Sequence, residues 1–307
     1  MALTYAANGA DLRITETANA LLRILLVDLT DLFQLCTNLG DQAGRGSSTD
    51  KVARVDLDDA MTAPAEGAAV AVTDPATSNV TVAIARNALR RQETDLLRIT
   101  GASSMFSLTQ EFLAMDASNS IVIRRTGQIA TLFSTVANTV GATTVDLSVT
   151  NIYQAMFQLQ TARNRPPFAC VLFPEQFNNF QNDLRGESGA VAFQAATDEL
   201  LKAKGPGFAG SWHNIDFWTS DQVPTANAGA DSNGCMFAAG AFGYKEASAA
   251  SMLRAAGSEI VPVPEHSPAF IELQRIPASG TTDAVYNYYD GVVELEDLRA
   301  VGIISDR

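Results

Sequence analysis

Residues 107–140 read SLTQEFLAMDASNSIVIRRTGQIATLFSTVANTV and form the longest stretch of helical character in the chain. Ser107 and Gln110 fit a capping box at its start. Gly127 is a weak point inside it, and Gly141 is a natural stop. At ~1.5 Å of rise per residue the helix approaches about 50 Å, which is long for a compact domain of this size.

Upstream of this helix the hydrophobic period changes to two. KVARVDLDD (51–59) alternates, EGAAVAV (66–72) follows a small-residue turn around residues 63–67, and DPATSN (74–79) is a turn cluster. NVTVAIAR (79–86) then alternates strictly, with Val80, Val82 and Ile84 on one face and Thr81, Ala83 and Ala85 on the other. Large apolar groups are few, so this region reads as a long β-hairpin with a thin core. A lone two-stranded hairpin is marginal in water. It must fold back on its own domain or lie on a neighbouring molecule. Further upstream, ETANALLRILLVDLTDLFQLC (16–36) repeats apolar groups at Ala20, Ile24, Val27, Leu32 and Leu35, which predicts an amphipathic helix. GDQAGRGSSTD (40–50) is a linker by composition.

Downstream, helix and strand alternate, as in a compact α/β domain. TNIYQAMFQLQTAR (150–163) is a helix with Thr150 at its N-cap. FACVLF (168–173) is a strand, Pro174 opens the helix PEQFNNFQNDL, and another helix covers 190–203. GPGFAG (205–210) follows a helix rather than opening one, against a phosphate-cradling role. NIDFWTSDQVP and CMFAAGAFGYKEA are strands separated by a polar loop at 225–234. AFIELQRI (269–276) and AVYNYYDGVVELEDLRAVGIIS (284–305) are strands again, placing strands from both ends of the sequence in one sheet.

The 307 residues are 47% hydrophobic and 18% charged, enough for one large or two ordinary domains. The net charge is −13, and four lysines (Lys51, Lys202, Lys204, Lys245) are all the lysine present. A sequence-specific DNA-binding module carries a basic face, which this balance argues against. Cys36, Cys170 and Cys235 are far apart with no CxxC spacing, so they read as structural thiols in a reducing compartment. Arg23, Asp28 and Asp31 interrupt the apolar run ALLRILLVDLTDLF (20–33), which leaves neither a targeting signal nor a membrane span.

Catalytic signatures are sparse. His213 and His266 are the two imidazoles, and HExxH, GxSxG, Walker-type and paired metal-ligand spacings do not occur. No cofactor or metal is expected. Asp56, Asp58 and Asp59 read either as ligands for a hard cation or as a solvated acidic turn. Cys170 lies in an apolar strand and reads as inert. His213 beside Trp212 reads as a packing residue; an α/β enzyme would have to use it with Asp216 or Cys235. Tyr286, Tyr288 and Tyr289 read as sheet-face packing.

The order of parts is helical arm, long hairpin, long helix, α/β insertion and terminal strands. It resembles the major capsid proteins of tailed phages, the Hong Kong 97-type shell fold. AEGAAVAV followed by VTVAIARNALRRQETD is similar to that family's extended hairpin (E-loop), and FLAMDASNSIVIRRTGQIATLFSTV to its spine helix. TNIYQAMFQL…FACVLFPEQFNNF resembles the start of its axial domain. GPGFAGSWHNIDFWTSDQVP…GCMFAAGAFGYKEA is similar to the glycine turn and buried strands that follow. YNYYDGVVELEDLRAVGIISD resembles the closing strands of the peripheral domain.

The resemblance implies an α+β chain divided into an N-terminal arm and linker (1–50), an extended hairpin and its base (51–100) and a spine helix (101–140). An axial domain (141–265) and the peripheral domain's closing strands (266–307) follow. It implies a virion protein, not an enzyme, assembled in the host cytoplasm into hexamers and pentamers of an icosahedral shell. That shell encloses double-stranded DNA without sequence specificity and without a membrane. Portal, scaffolding and decoration proteins are possible partners in that family, and an encapsulin-type or gene-transfer-particle shell is the alternative. Arg86, Arg90, Arg91 and Arg98 at the hairpin base would pair with Asp56, Asp58 and Asp59 of a neighbour, or form an ordinary solvated base. Arg124 and Arg125 would face packaged DNA, or line a solvated helix face. In some members a hairpin lysine is joined to a neighbour's asparagine. Residues 52–100 here contain no lysine, so that crosslink is not expected.

Overall fold

A computed structural model describes residues 2–3, 30–55, 61, 70, 74–94, 103–186, 193–250, 259–263 and 268–307. Two large sheets, a two-stranded hairpin and a long helix make up the α+β architecture.

The first sheet has seven strands: β1 (Ala2–Leu3), β2 (Thr37–Asp41), β5 (Ala85–Thr94), β13 (Phe242–Glu246), β14 (Glu259–Pro262), β15 (Phe270–Ile276) and β16 (Thr281–Glu294). β16 is its axis. One edge of β16 pairs antiparallel with β5 from Thr281↔Thr94 to Asp290↔Ala85, and the other pairs with β15 and then β13. The sequence expectation that both ends of the chain share a sheet is met, since β1 adds in parallel to β5 and β2 to β13.

Helix α1 (Ser103–Phe133) lies against this sheet. Ala117, Ile121, Arg125, Ile129 and Phe133 recur at four-residue steps and are buried; Val122, Thr126 and Ala130 form a second buried row beside them. The helix starts four residues before Ser107, which places the expected capping box one turn inside it. It also stops at Phe133 instead of running to Val140. The hydroxyls of Thr131, Ser134 and Thr135 bond back to the carbonyls of Gln128, Thr131 and Leu132. Such back-bonding competes with the helical ladder. The β-branched Thr139 and Val140 then enter a strand, β6 (Thr139–Gly141). Gly141 stands in that strand at φ +87°, where an added Cβ would lie 2.1 Å from the Ile304 carbonyl oxygen.

The second sheet has eight strands in the order β6-β17-β12-β7-β10-β9-β8, with β11 on β12. They are β7 (Phe168–Leu172), β8 (Gln194–Ala195), β9 (Phe208–Trp212), β10 (Ile215–Thr219), β11 (Thr225–Ala226), β12 (Asp231–Phe237) and β17 (Ala300–Asp306), with β6 at the edge. α2 (Val149–Thr161) and α3 (Pro174–Gly186) cover one face, packing Ile152, Ala155, Leu159, Phe180 and Leu184 onto Cys170, Leu172, Phe217, Met236, Val301 and Ile303. The opposite face sends Val171, Cys235, Phe237 and Ala300 into the core shared with α1 and the first sheet. All seven residues of β12 are buried, as expected of a strand covered on both faces.

Several sequence expectations are revised. Ser148, not Thr150, caps α2, accepting from the Asn151 amide. The helix expected at 190–203 is the short α4 (Asp198–Lys204), preceded by β8. Most of the helix expected at 16–36 lies outside the described residues. Its end does not continue as a helix: Asp31 accepts from the Phe33 amide, starting a 3-10 turn at Leu32–Leu35, and β2 follows. The polar loop expected at 225–234 contains β11 and half of β12. The last strand, β17, was expected to close the peripheral sheet with β16. Instead it crosses to the eight-stranded sheet, between β12 and β6.

Candidate functional site

The hairpin pairs β3 (Thr49–Val55) with β4 (Thr77–Ala83) from Thr49↔Ala83 to Val55↔Thr77. It belongs to neither large sheet. Its strands alternate as the sequence predicts, with Val80 and Ile84 half-buried, Val82 buried and Thr81, Ala83 and Ala85 exposed. The expected turn at 63–67 lies outside the described residues. The base is held where β4 crosses β16: a Cβ on Gly291 would come within 2.2 Å of the Ala83 carbonyl oxygen, so only glycine admits this approach. Beside it the buried Lys245 of β13 pairs with Asp50 of β3. That hydrogen bond holds the Asp50 carboxyl below its ordinary range.

The hairpin-base arginines are engaged within the chain. Arg86 donates twice to Asn287 Oδ1, at 2.9 and 2.7 Å. Arg90 pairs with the buried Asp283 at 2.5 Å. Arg91 grips both oxygens of Asp116 on α1, at 2.7 and 2.9 Å. These three arginines fasten β5 to β16 and α1. Arg98, Asp56, Asp58 and Asp59 lie outside the described residues.

Arg124 and Arg125 separate by one position on α1. Arg124 is exposed. Arg125 is buried, so the expectation that it faces DNA or solvent is corrected. Its guanidinium bonds Tyr288 Oη at 2.9 Å, Glu246 Oε1 at 2.8 Å and Asp31 Oδ2 at 3.3 Å, and lies over the Phe33 and Tyr288 rings. Burial alone would lower its pKa, but Tyr288, Asp31 and Glu246 outweigh that and raise it. The same cluster ties the residue-30 segment into the body. Thr126 donates to the Thr30 carbonyl, and Thr30 donates to the Thr219 carbonyl at 2.8 Å. Gly207, at φ +82°, leaves room for the Thr30 side chain. The Asp31 and Glu246 roles were not legible in sequence, but the four-residue step from Ile121 through Arg125 to Ile129 was a readable sign that Arg125 points inward.

The residues weighed for catalysis are engaged separately. His213 occupies the turn between β9 and β10 at φ +47° and approaches Tyr153 Oη at 3.4 Å. Asp216 pairs with Lys204. Cys235 and Cys170 are fully buried, and burial raises both thiols. Among the described residues no group of three or more His, Cys, Asp or Glu is placed to hold a metal, and no helix is long and apolar enough to cross a membrane.

An open cleft of about 520 Å³ separates the hairpin from the body. Arg54, Val55 and Ala76–Ser78 form its hairpin wall; Ala162–Asn164 with Glu296, Leu298 and Arg299 form the other. Arg54 pairs with Glu296 across it. Val55 and Leu298, 52% and 57% exposed, line it together with Arg54, Arg163, Arg299 and Glu296. Exposed apolar residues beside arginines are common in protein contact surfaces.

No protein-family model matches the sequence, and no curated protein matches it. Solved structures do match its fold. A chain of the capsid of Ralstonia phage GP4 superposes with a TM-score of 0.66 at 10% identity, over 96% of this chain and 95% of that one. A chain of the head of Helicobacter pylori bacteriophage KHP40 gives 0.63 at 10% identity, over 99% and 97%. A chain of the capsid of a native GTA particle gives 0.60 at 11% identity, over 99% of each chain. The chain therefore has the fold of phage capsid chains along essentially its whole length.

Proposed function

We propose that this chain is the major capsid protein of a tailed bacteriophage. It self-assembles as hexamers and pentamers into the icosahedral shell around a double-stranded DNA genome. The observation that carries this is the end-to-end superposition on phage capsid chains, with more than nine-tenths of both chains covered. The hairpin β3–β4 serves as the E-loop and α1 as the spine helix. The eight-stranded sheet with α2 and α3 forms the axial domain. Its work is structural: each modest contact repeats around a closed shell, which makes assembly cooperative. The net charge of −13 fits a wall that encloses DNA without reading it. Arg124 is the residue of the expected DNA-facing pair that remains exposed. The subunit assembles in the host cytoplasm and resides in the virion, where portal, scaffolding and decoration proteins are its expected partners. The fit to a GTA capsid chain favours one second reading, a particle that carries DNA other than its own genome.

Electron microscopy of the purified chain tests the proposal. Closed icosahedral particles are expected; tubes, open rings or a persistent monomer under all assembly conditions would overturn it. Sequencing nuclease-protected DNA from native particles separates a phage genome from host fragments.

A further inference from the structure

We infer that Asp290 is a proton-operated catch at the base of the hairpin: with its proton the carboxyl group locks the hairpin to the first sheet, and without it the hairpin comes away while the body stays folded. The inference concerns the free subunit and stands apart from the assembly role proposed above.

The fold puts Asp290 at the joint. The chain passes from β4, which ends at Ala83, to β5, which starts at Ala85, so a single residue separates pairing with β3 from pairing with β16. Ala85 is the ladder partner of Asp290, and Gly291 closes on the Ala83 carbonyl. On the hairpin's other strand Asp50 is held by Lys245, the ladder partner of Gly291. Both hairpin strands therefore meet the body at residues 290 and 291 or directly across from them.

Asp290 is fully buried, yet its direct partners among the described residues are amides. Asn87 of β5 donates to one carboxyl oxygen. Gln128 of α1, with its amide nitrogen turned to Asp290, donates to the other, and its amide oxygen accepts from Arg124 at 2.5 and 3.2 Å. The charges around the site are committed to other groups. On β13, Glu246 stands across the ladder as a like charge, and Lys245 is bonded to Asp50. On β5, Arg86 is bonded to Asn287. On α1, Arg125 serves Glu246 and Asp31, which leaves the exposed Arg124, one amide away, to balance Asp290. A carboxylate buried with no cation in contact is costly, and a proton or water relieves it. Burial raises its pKa to about 6; Arg124, Asn87 and Arg125 oppose the shift and Glu246 adds to it.

The hairpin is the part that can yield. Its strands share no ladder with either large sheet, whereas β16 is paired along both edges. Lifting β4 and the start of β5 brings water to Asp290 and leaves both sheets otherwise intact. The closed joint holds the proton more tightly than the open one, so closure is favoured at low pH and weakens as pH rises to about 6.

Hydrogen exchange of the unassembled subunit, corrected for its intrinsic pH dependence, tests this. Protection of residues 49–55 and 77–83 is expected to fall about tenfold between pH 5 and pH 7.5, the factor for a carboxyl with a pKa of about 6 when closed and about 3.9 when open. Asp290→Asn, neutral at every pH, should keep the pH 5 protection throughout. Arg124→Gln should carry the fall on to higher pH, because it removes the charge that opposes the raised pKa. Sub-denaturing urea separates the routes, since opening of the hairpin alone is insensitive to it and unfolding of the body is not. A flat wild-type profile, an Asp290→Asn subunit that keeps the wild-type fall, or a fall confined to urea-sensitive exchange would each overturn the inference.

Discussion

Arg124 and Arg125 are adjacent and chemically identical, yet the structure assigns them opposite consequences. Arg125→Ala removes the one cation that, among the described residues, bonds the Glu246, Asp31 and Tyr288 oxygens, where the Glu246 and Asp31 side chains are 15% and 28% exposed in the intact structure. Removing one partner of a buried pair typically costs about 3–5 kcal/mol, because the other charge stays buried without compensation. Asp31, the more exposed of the two, is partly screened and adds less, so a loss of about 3 kcal/mol is expected. For a large domain that lowers Tm by roughly 6–12 °C. Arg125→Lys should recover only part of the loss, since an ammonium cannot reproduce the forked contacts to three oxygens. Arg124→Ala, at an exposed position whose main link to the body is its charge near Asp290, should cost far less than Arg125→Ala, about 1 kcal/mol or less. Differential scanning fluorimetry of the unassembled subunit reads all three. An Arg125→Ala subunit that melts with wild type, in particles that package less DNA, would refute the buried-network reasoning and return Arg125 to the DNA-facing role.

Three further outcomes are expected. Gly291→Ala should push β4 off β16, speeding hydrogen exchange at residues 49–55 and 77–83 while the Tm of the body stays near wild type; unchanged exchange there would count against this anchor. Asp290, fully buried on β16, has its pKa raised to about 6, chiefly by burial, with Arg124 and Asn87 opposing. The native state therefore holds this proton more tightly than the unfolded chain. The group's contribution is fully present below about pH 4, is lost as pH rises to about 6, and the loss is on the order of 3 kcal/mol at most. Asp290→Asn should flatten the rise of unfolding tendency between pH 4 and 6.5, read from Tm against pH; an unaltered profile would refute it. Deleting residues 300–307 removes the fully buried Val301 and Ile303, worth ~1.5–3 kcal/mol each, and exposes the edge of β12. That loss is comparable with a typical margin of ~5–15 kcal/mol, so an insoluble or protease-sensitive chain is expected rather than a folded, assembly-defective monomer.

Elements marked by local chemistry were legible in sequence. Pro174 opens α3, the run FACVL is β7, and the alternation through Val80, Val82 and Ile84 is a strand because each signal lies within a few neighbouring residues. The end of α1 was misread because apolar spacing continues through Val136 and Val140, while the deciding hydroxyl back-bonds come from side chains that are neutral in a periodicity count. Partner choice was the least legible. GVVE and AVGII both read as strands, but nothing within them says that the first belongs to the sheet with β5 and the second to the sheet with β12. The cleft could not be found at all, because its walls come from four stretches spread between residues 54 and 299, and Arg54, Arg163 and Arg299 carry no spacing signature.

The path of the chain joins the two large sheets into one body and leaves the hairpin outside their ladders. β16 pairs with β5 across roughly 200 residues of sequence, and β17, a few residues later, inserts between β12 and β6. Residues 281–306 thus complete both large sheets, and the two cores meet across the second sheet through alternate residues of β12. Neither sheet can be finished before that segment is present, so the body should fold as one cooperative and comparatively slow unit. The hairpin is excluded from this cooperativity. Its two strands share no ladder with either sheet, and within the body it leans on Gly291, Lys245 and the Arg54–Glu296 pair. A two-stranded unit held by so few contacts gains most of its remaining stability from whatever it lies against. On the function proposed here, the surface that would supply that stability is another copy of the chain.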